Sequence, residues 1–144
     1  KYSQEMFIAL LYAARRISRN NGRVALLYTF DTLEFSHWKA VEDIAEVESR
    51  EKAEEKIAEY ENFVMSFTEK KPKKFIMKGD RVECIIKFLE ANNFISNFVL
   101  AASEKSSPSD SLISSFTGKN RSKIKVPLTI LPSSLSEEEI DKLS

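Results

Sequence analysis

Hydroxyl side chains crowd the stretch that follows a short apolar run at residues 98–100. Residues 98–118 read FVLAASEKSSPSDSLISSFTG, and the first glycine after the run is Gly118. Hydroxyls and backbone N–H groups at the start of a helix can hold phosphate, but glycines normally let the backbone approach it. The question is therefore whether this loop, which lacks the glycines of a phosphate-binding loop, can still bind phosphate.

Two interpretations of this loop stay open. In the first it is an ordinary surface loop, which is the interpretation we favour. In the second it is a looser anion site lined by Ser103, Ser106, Ser107 and Ser109, with positive charge from Lys105 and Lys119.

No other residue set predicts catalysis. His37 is the only histidine, so triads and multi-histidine metal sites have at most one member here. The acids of residues 42–61 fall on the polar side of a helical pattern, and no phosphate loop, dinucleotide fingerprint or zinc spacing occurs. We expect neither an enzyme nor a metal site.

The amino-acid composition excludes further classes of protein. The 144 residues suit a single domain, and 22 basic against 22 acidic side chains give no bulk charge for nucleic acid or a membrane surface. A single cysteine, Cys84 in an apolar setting, fits a buried thiol in a reducing compartment. No apolar run is long enough for a membrane span, so we expect a cytoplasmic protein.

Helical and strand patterns alternate along the chain, which predicts an α/β protein with a parallel sheet. We expect helices over 3–20, 39–68, 81–92 and 108–123, strands over 23–30, 75–77, 95–102 and 126–131, and a short tail helix after Ser136. Gly22 is expected to end the first helix in a left-handed conformation. The strand at 23–30 is continuously apolar, which is typical of a strand covered on both faces.

With these elements in order, residues 2–132 resemble the universal stress protein family. The order and spacing carry part of the resemblance, and so do Lys78-Gly79-Asp80 and Val126-Pro127-Leu128. The stretches at 34–38 (EFSHW) and 135–141 (LSEEEID) resemble an alphaproteobacterial subgroup of that family.

The resemblance implies a fold that the residues alone do not give. It implies an open twisted parallel sheet of order 3-2-1-4-5 with helices on both faces, Rossmann-like and of the adenine nucleotide alpha hydrolase type. Residues 1–132 would form this domain, and 133–144 an acidic C-terminal tail with a short helix. The family's first strand is absent from the sequence, and we expect a separate segment or a partner to supply it.

The resemblance also implies where a nucleotide would bind. ATP-binding members carry Gly-x-x-Gly-x9-Gly-Ser/Thr after the fourth strand, and Ala101, Glu104, Ser114 and Ser115 stand at those four positions. Only the hydroxyl of Ser115 matches, and the Glu104 carboxylate would repel phosphate. A degenerate site without cofactor is expected; the alternative is a stress switch in which the serine-rich loop still binds ATP or AMP.

The last strand predicts a partner. Family members commonly dimerise by pairing their fifth strands, which implies a homodimer with a seam at Val126, Leu128, Ile130 and Leu131. For Phe35 and Trp38 we favour packing on the sheet edge; the alternatives are an exposed aromatic contact with an unknown protein partner and a ring that stacks on adenine. We therefore expect a dimeric cytoplasmic stress-response module that is not an enzyme.

Overall fold

Helices and strands alternate in a computed structural model, which describes residues 3–31, 39–103 and 108–144, with 39–42 and 108–109 by backbone only. In chain order the elements are α1 (Gln4–Ser18), β1 (Ala25–Phe30), α2 (Lys39–Met65), β2 (Lys73–Lys78), α3 (Arg81–Ala91), β3 (Phe98–Ala101), α4 (Pro108–Thr117), β4 (Leu128–Leu131) and α5 (Glu137–Leu143). The mixed α/β class is confirmed. The helix expected over 108–123, with an interruption at Gly118 as an alternative, ends at Thr117, directly before that glycine.

The strands form two small parallel sheets. In the first sheet β1 pairs with β2 from Ala25↔Lys73 to Phe30↔Lys78. In the second sheet β3 pairs with β4 from Phe98↔Leu128 to Ala101↔Leu131. Among the described residues the two sheets are not hydrogen-bonded to each other, so a single five-stranded sheet is not seen.

Helix α1 packs against both sheets. Its late residues Ala14 and Ile17 are buried in a cluster with Val24 and Leu26 of the first sheet. The earlier residue Ile8 lies in a second cluster that contains Ala101 and Leu131 of the second sheet. One helix thus covers the same face of both strand pairs.

Helices α3 and α4 cover the opposite face. A third cluster contains Ile85 of α3, Leu112 and Phe116 of α4, and Leu100 of β3, and Leu27 of β1 packs against it. Successive side chains of a strand point to opposite faces, which is why Leu26 and Leu27 enter different clusters.

Local capping groups set several helix boundaries. Asp80 accepts a hydrogen bond from the Glu83 N–H at 3.1 Å and starts α3 just after Gly79, whose φ of 137° favours glycine. Ser136 and Glu139 form a complete capping box at the start of α5.

The end of α1 differs from the prediction. Among the described residues Gly79 is the only glycine with positive φ, so the expectation of a left-handed Gly22 is wrong. The Lys70 ammonium instead donates to the carbonyl oxygens of Ile17 at 3.3 Å and Asn20 at 2.5 Å. A cation from a loop distant in sequence therefore adds to the backbone hydrogen bonds that Arg19 and Asn20 make to the last carbonyls of this helix.

The C-terminal helix α5 is held against α1. Ile140 is fully buried in the cluster of Ile8 and Leu131. The Arg19 guanidinium bonds the Asp141 carboxylate at 2.6 Å and its backbone oxygen at 2.7 Å. The segment expected as a tail thus contributes to the core.

Strand β1 is less buried than its sequence predicts. Only Leu26 of its six residues is buried, and the others are half-buried. β2 covers one edge of β1, whereas no described strand is paired with the other edge. The prediction that β1 is covered on both faces nevertheless agrees with its packing, since Leu26 lies in the cluster of α1 and Leu27 packs against the cluster of α3 and α4.

Candidate functional site

The serine-rich loop begins where β3 ends, and its first predicted site residue lies in the core. Ala101 is 2% exposed and lies in the cluster that contains Ile8 and Leu11 of α1. Its methyl group contributes to packing under α1, so this position offers no open backbone surface to a ligand.

The start of α4 is engaged by a carboxylate of the chain itself. Asp110, in the first turn of α4, accepts from the Ser103 hydroxyl at 3.2 Å and, more weakly, from the Ser103 backbone N–H at 3.4 Å. A helix N-terminus favours a negative group, and here Asp110 supplies one. The Ser103 hydroxyl is therefore bonded to a carboxylate of the chain itself.

Ser114 and Ser115 lie at the other end of the same helix. Ser115 accepts a hydrogen bond of 2.5 Å from the side-chain amide of Asn120, which is 6% exposed, and its carbonyl accepts from the Asn120 N–H at 2.9 Å. From Asp110, which Ser103 contacts, to Ser115 an α-helix rises by about 7.5 Å. The structure thus separates Ser115 from Ser103 instead of bringing both hydroxyls to one anion.

The close of α4 explains the single glycine of this region. A Cβ at Gly118 would lie 2.7 Å from the backbone oxygen of Ser114, closer than real contacts allow. Gly118 permits the tight turn that brings Asn120 back to Ser115. The glycine therefore serves the helix end rather than a phosphate.

Several predicted residues lie outside the described part of the chain. These are Glu104, Lys105, Ser106 and Ser107 in the loop and Phe35, His37 and Trp38 before α2, while Ser109 is described by its backbone only. Their predicted roles stay predictions.

Strand β4 presents an apolar outer edge. Phe98 donates to the Pro127 carbonyl and Ala102 to the Leu131 carbonyl, both at 2.9 Å, so odd-numbered residues of β4 face β3. In a parallel ladder the intervening residues direct their N–H and C=O groups to the other side. Leu128 and Ile130 therefore hold the outer edge, and Ile130 is 40% exposed.

The other two predicted seam residues are placed differently. Val126 precedes β4 and is half-buried. The Leu131 side chain is 3% exposed in the core cluster of Ile8 and Ile140. A seam along this edge would therefore depend on Leu128 and Ile130.

Cys84 behaves as the buried thiol that its sequence context predicts. It is 4% exposed on α3, and burial raises the pKa of its thiol, with Lys87 opposing the rise. A thiol of raised pKa is a poor nucleophile near neutral pH.

Two other kinds of site are not found. Within residues 3–31, 39–103 and 108–144 no group of three or more histidine, cysteine and acidic residues could hold a metal ion. Over the same residues, no helix has the length and apolarity needed to cross a membrane.

Sequence reasoning missed Asp110 and Asn120. An acid in the first turn of a helix is a known stabilising signal, and it could have indicated that the start of α4 already has an anion. The Asn120–Ser115 bond has no comparable sequence signal.

Searches of protein-family models, curated proteins and solved structures found no match to this chain.

Proposed function

We propose that this chain is a universal stress protein module: a cytoplasmic homodimer that acts in regulation through protein contacts, without catalysis and with a lapsed nucleotide site. Its strands would be the second to fifth of the family sheet of order 3-2-1-4-5. β2 and β1 would then lie on one side of the family's first strand and β3 and β4 on the other, which agrees with the two parallel pairs and with the helices on both faces.

The observation that carries the proposal is the contact between Asp110 and Ser103. The negative group at the start of α4 is a carboxylate of the chain, and it engages the first hydroxyl of the loop. A phosphate placed there would meet a like charge, which disfavours binding by roughly 1 kcal/mol at about 4 Å in water and by more where water is excluded.

The predicted nucleotide positions support the same conclusion. Ala101 is used in packing and Ser115 in closing α4. The alternative, a switch that binds ATP or AMP through the serine-rich loop, would need Ser103 to exchange Asp110 for phosphate.

Calorimetric titration with ATP and Mg²⁺ tests the proposal. We expect no saturable binding at micromolar concentrations, and micromolar affinity would favour the switch instead. The variant Asp110→Asn is the matched control, because it removes the charge and keeps groups that can bond Ser103. Binding by this variant alone would identify the carboxylate as the group that excludes phosphate.

The dimer proposal has its own support in β4. No strand among the described residues pairs with the outer edge of β4, where Leu128 and Ile130 lie, and such apolar edges pair with other strands unless they are protected. Sedimentation equilibrium should give a dimer at micromolar concentration. A monomer at 100 µM or above would contradict this part of the proposal.

A further inference from the structure

Positive charge is concentrated where the strands begin. Residues 19–24, 66–73, 92–97 and 118–127 lead into the amino ends of the four strands. Against one acid, Glu69, they contain nine basic side chains: Arg19, Arg23, Lys70, Lys71, Lys73, Lys119, Arg121, Lys123 and Lys125. The equal totals of basic and acidic residues in the whole chain gave no indication of this segregation.

Hydrogen bonds join the first two of these connections. The Lys70 ammonium bonds the carbonyls of Ile17 and Asn20 at the end of α1. The Arg23 guanidinium donates to the Lys71 carbonyl at 3.0 Å. Because β1 and β2 are also paired from their first residues, the cations at the starts of these two strands form one group.

The connection 92–97 links this group to the second sheet. The Lys73 ammonium lies 4.6 Å from the centre of the Phe94 ring. Three residues further on, Asn97 accepts a hydrogen bond of 2.9 Å from the Thr129 hydroxyl of β4. The cations that precede β4 therefore lie on the same side of the molecule, with Phe94 between the two basic groups. We call this surface the basic edge.

Most of this charge is not neutralised by the chain. Arg19 pairs with Asp141 at 2.6 Å, but no ion pair between described residues involves any of the other eight cations. Seven of those eight are exposed, and Lys70 is half-buried. Phe94 is 53% exposed, although large aromatic side chains are usually buried for most of their surface. The basic edge thus combines exposed positive charge with an exposed ring.

We infer that the basic edge binds single-stranded nucleic acid. Its cations contact successive phosphates, and the Phe94 ring stacks on a base. Lysine and arginine neutralise phosphates whatever the sequence, and every base has a face on which an aromatic ring can stack. The inference goes beyond the proposed function, and the basic edge lies at the opposite ends of the strands from the serine-rich loop.

The setting of Phe94 favours a nucleic acid over an anionic membrane. Insertion of the ring into a membrane would bring the neighbouring Lys73 ammonium toward the apolar layer, which is costly. A base stacked on the exposed part of the ring leaves that ammonium free to contact a phosphate. An acidic protein segment has the charge but not the bases, so it should bind more weakly.

Fluorescence anisotropy of the intact chain with a labelled oligothymidylate of about 12 nucleotides tests the inference, with oligouridylate of the same length to compare DNA with RNA. We expect a dissociation constant of about 10 µM at about 50 mM salt, and weaker binding of a duplex, whose bases are stacked on one another. No saturable binding up to about 100 µM would overturn the inference. So would equal or tighter binding of a glutamate peptide or of phosphatidylserine vesicles.

Two double variants with the same change of net charge locate the surface. Lys123→Gln with Lys125→Gln removes two cations from the basic edge, and Lys52→Gln with Lys56→Gln removes two from α2. The slope of log affinity against log salt should become shallower by about 1.4 in the first variant, since each phosphate contact on a single strand contributes about 0.7. It should not change in the second. Equal slopes in both would overturn the inference.

Stacking is tested by Phe94→Ala, which should weaken oligonucleotide binding about tenfold and leave the salt slope unchanged. Ile44→Ala, at a 61% exposed position of α2, is the control and should bind as the unmodified chain does. An equal effect of the two variants would overturn the inference. Asp110→Asn should not change oligonucleotide binding, so this surface and the ATP site are tested separately.

Discussion

The outer edges of the two sheets carry opposite chemistry. On β2 of the first sheet, Lys74 pairs with Glu61 at 3.0 Å and Lys78 with Glu46 at 2.6 Å, both on α2. On β4 of the second sheet the corresponding edge carries Leu128 and the 40% exposed Ile130. Lysines on an edge discourage another strand from pairing, whereas an apolar edge invites it. The comparison favours β4 over β2 as the edge for the proposed self-association.

The supports of the sheets differ as well. The first sheet rests on α2, whose Ile57 and Val64 are buried within a helix of 27 residues. The second sheet is held against α1 by α5, a helix of only seven residues with Ile140 as its fully buried side chain. The edge that we expect to form the dimer is thus the one with the smaller support.

The largest effect is expected where that smaller support is removed. Ile140→Ala leaves a cavity under α5 and should lower the free energy of unfolding by about 2–5 kcal/mol. Leu143→Ala in the same helix is the control, since Leu143 is 54% exposed and its loss should cost within about 0.5 kcal/mol. Urea unfolding measures both, and equal values would show that α5 does not hold the second sheet.

The next effect tests the difference between the edges directly. Ile130→Lys puts a lysine on the outer edge of β4, as on β2. In a paired seam this lysine would lack a carboxylate partner. The dissociation constant of the dimer should rise about 100-fold, which is about 2.7 kcal/mol. Val47→Lys, at a 58% exposed position of α2, should leave the dimer unchanged by sedimentation. If the two variants dissociate alike, the apolar edge of β4 is not the seam.

A smaller effect is expected for the lysines of β2. Glu61 is 13% exposed and one of its carboxylate oxygens is buried without a partner, so Lys74→Met leaves a poorly solvated charge. The free energy of unfolding should fall by about 1–2 kcal/mol. The exposed pair Lys56–Glu59, at 3.7 Å, is the comparison, and Lys56→Met should cost about 0.5 kcal/mol or less. A larger loss at Lys56 would contradict this difference.

The smallest effect is the pH response of α5. Backbone and side-chain hydrogen bonds from Ser136 hold the pKa of Glu139 below its ordinary value of 4.5. A lowered carboxyl pKa adds stability above about pH 4.5, and this stability is lost as the pH falls through the lower folded value. When the pH is lowered, the Glu139→Gln variant should not show this part of the loss of stability. An identical acid profile in both chains would show that ionisation of Glu139 adds no pH-dependent stability to α5.

Short-range signals predicted much of the fold. Asp80 with Glu83 and Ser136 with Glu139 mark helix starts within four residues, and both appear as expected. The end of α1 could not be predicted in this way, because its capping group is Lys70, which is 53 residues from Ile17. Strand pairing is equally non-local, so the pattern of β1 predicts burial on both faces but not the open edge.

In the serine-rich loop, too, local features could be predicted from the sequence and non-local contacts could not. Residues 98–117 contain no glycine, and this predicted a site poorly suited to phosphate. A gapless count placed Ser114 and Ser115 at the phosphate end of the helix, whereas α4 starts at Pro108 and places them in its later turns. The contact of Asp110 with Ser103 depends on the direction of the loop, which local sequence does not fix.

The position of α1 across both sheets has a consequence for biosynthesis. Arg15 of α1 bonds Asp141, which comes 126 residues later in the sequence, and Ile8 packs in a cluster with Leu131 and Ile140, which are also late. At about 5–20 residues per second, the ribosome needs about 6–25 s to supply them. The apolar side of this helix therefore stays uncovered on the nascent chain until those residues have been synthesised, and the packing around α1 is completed only after them.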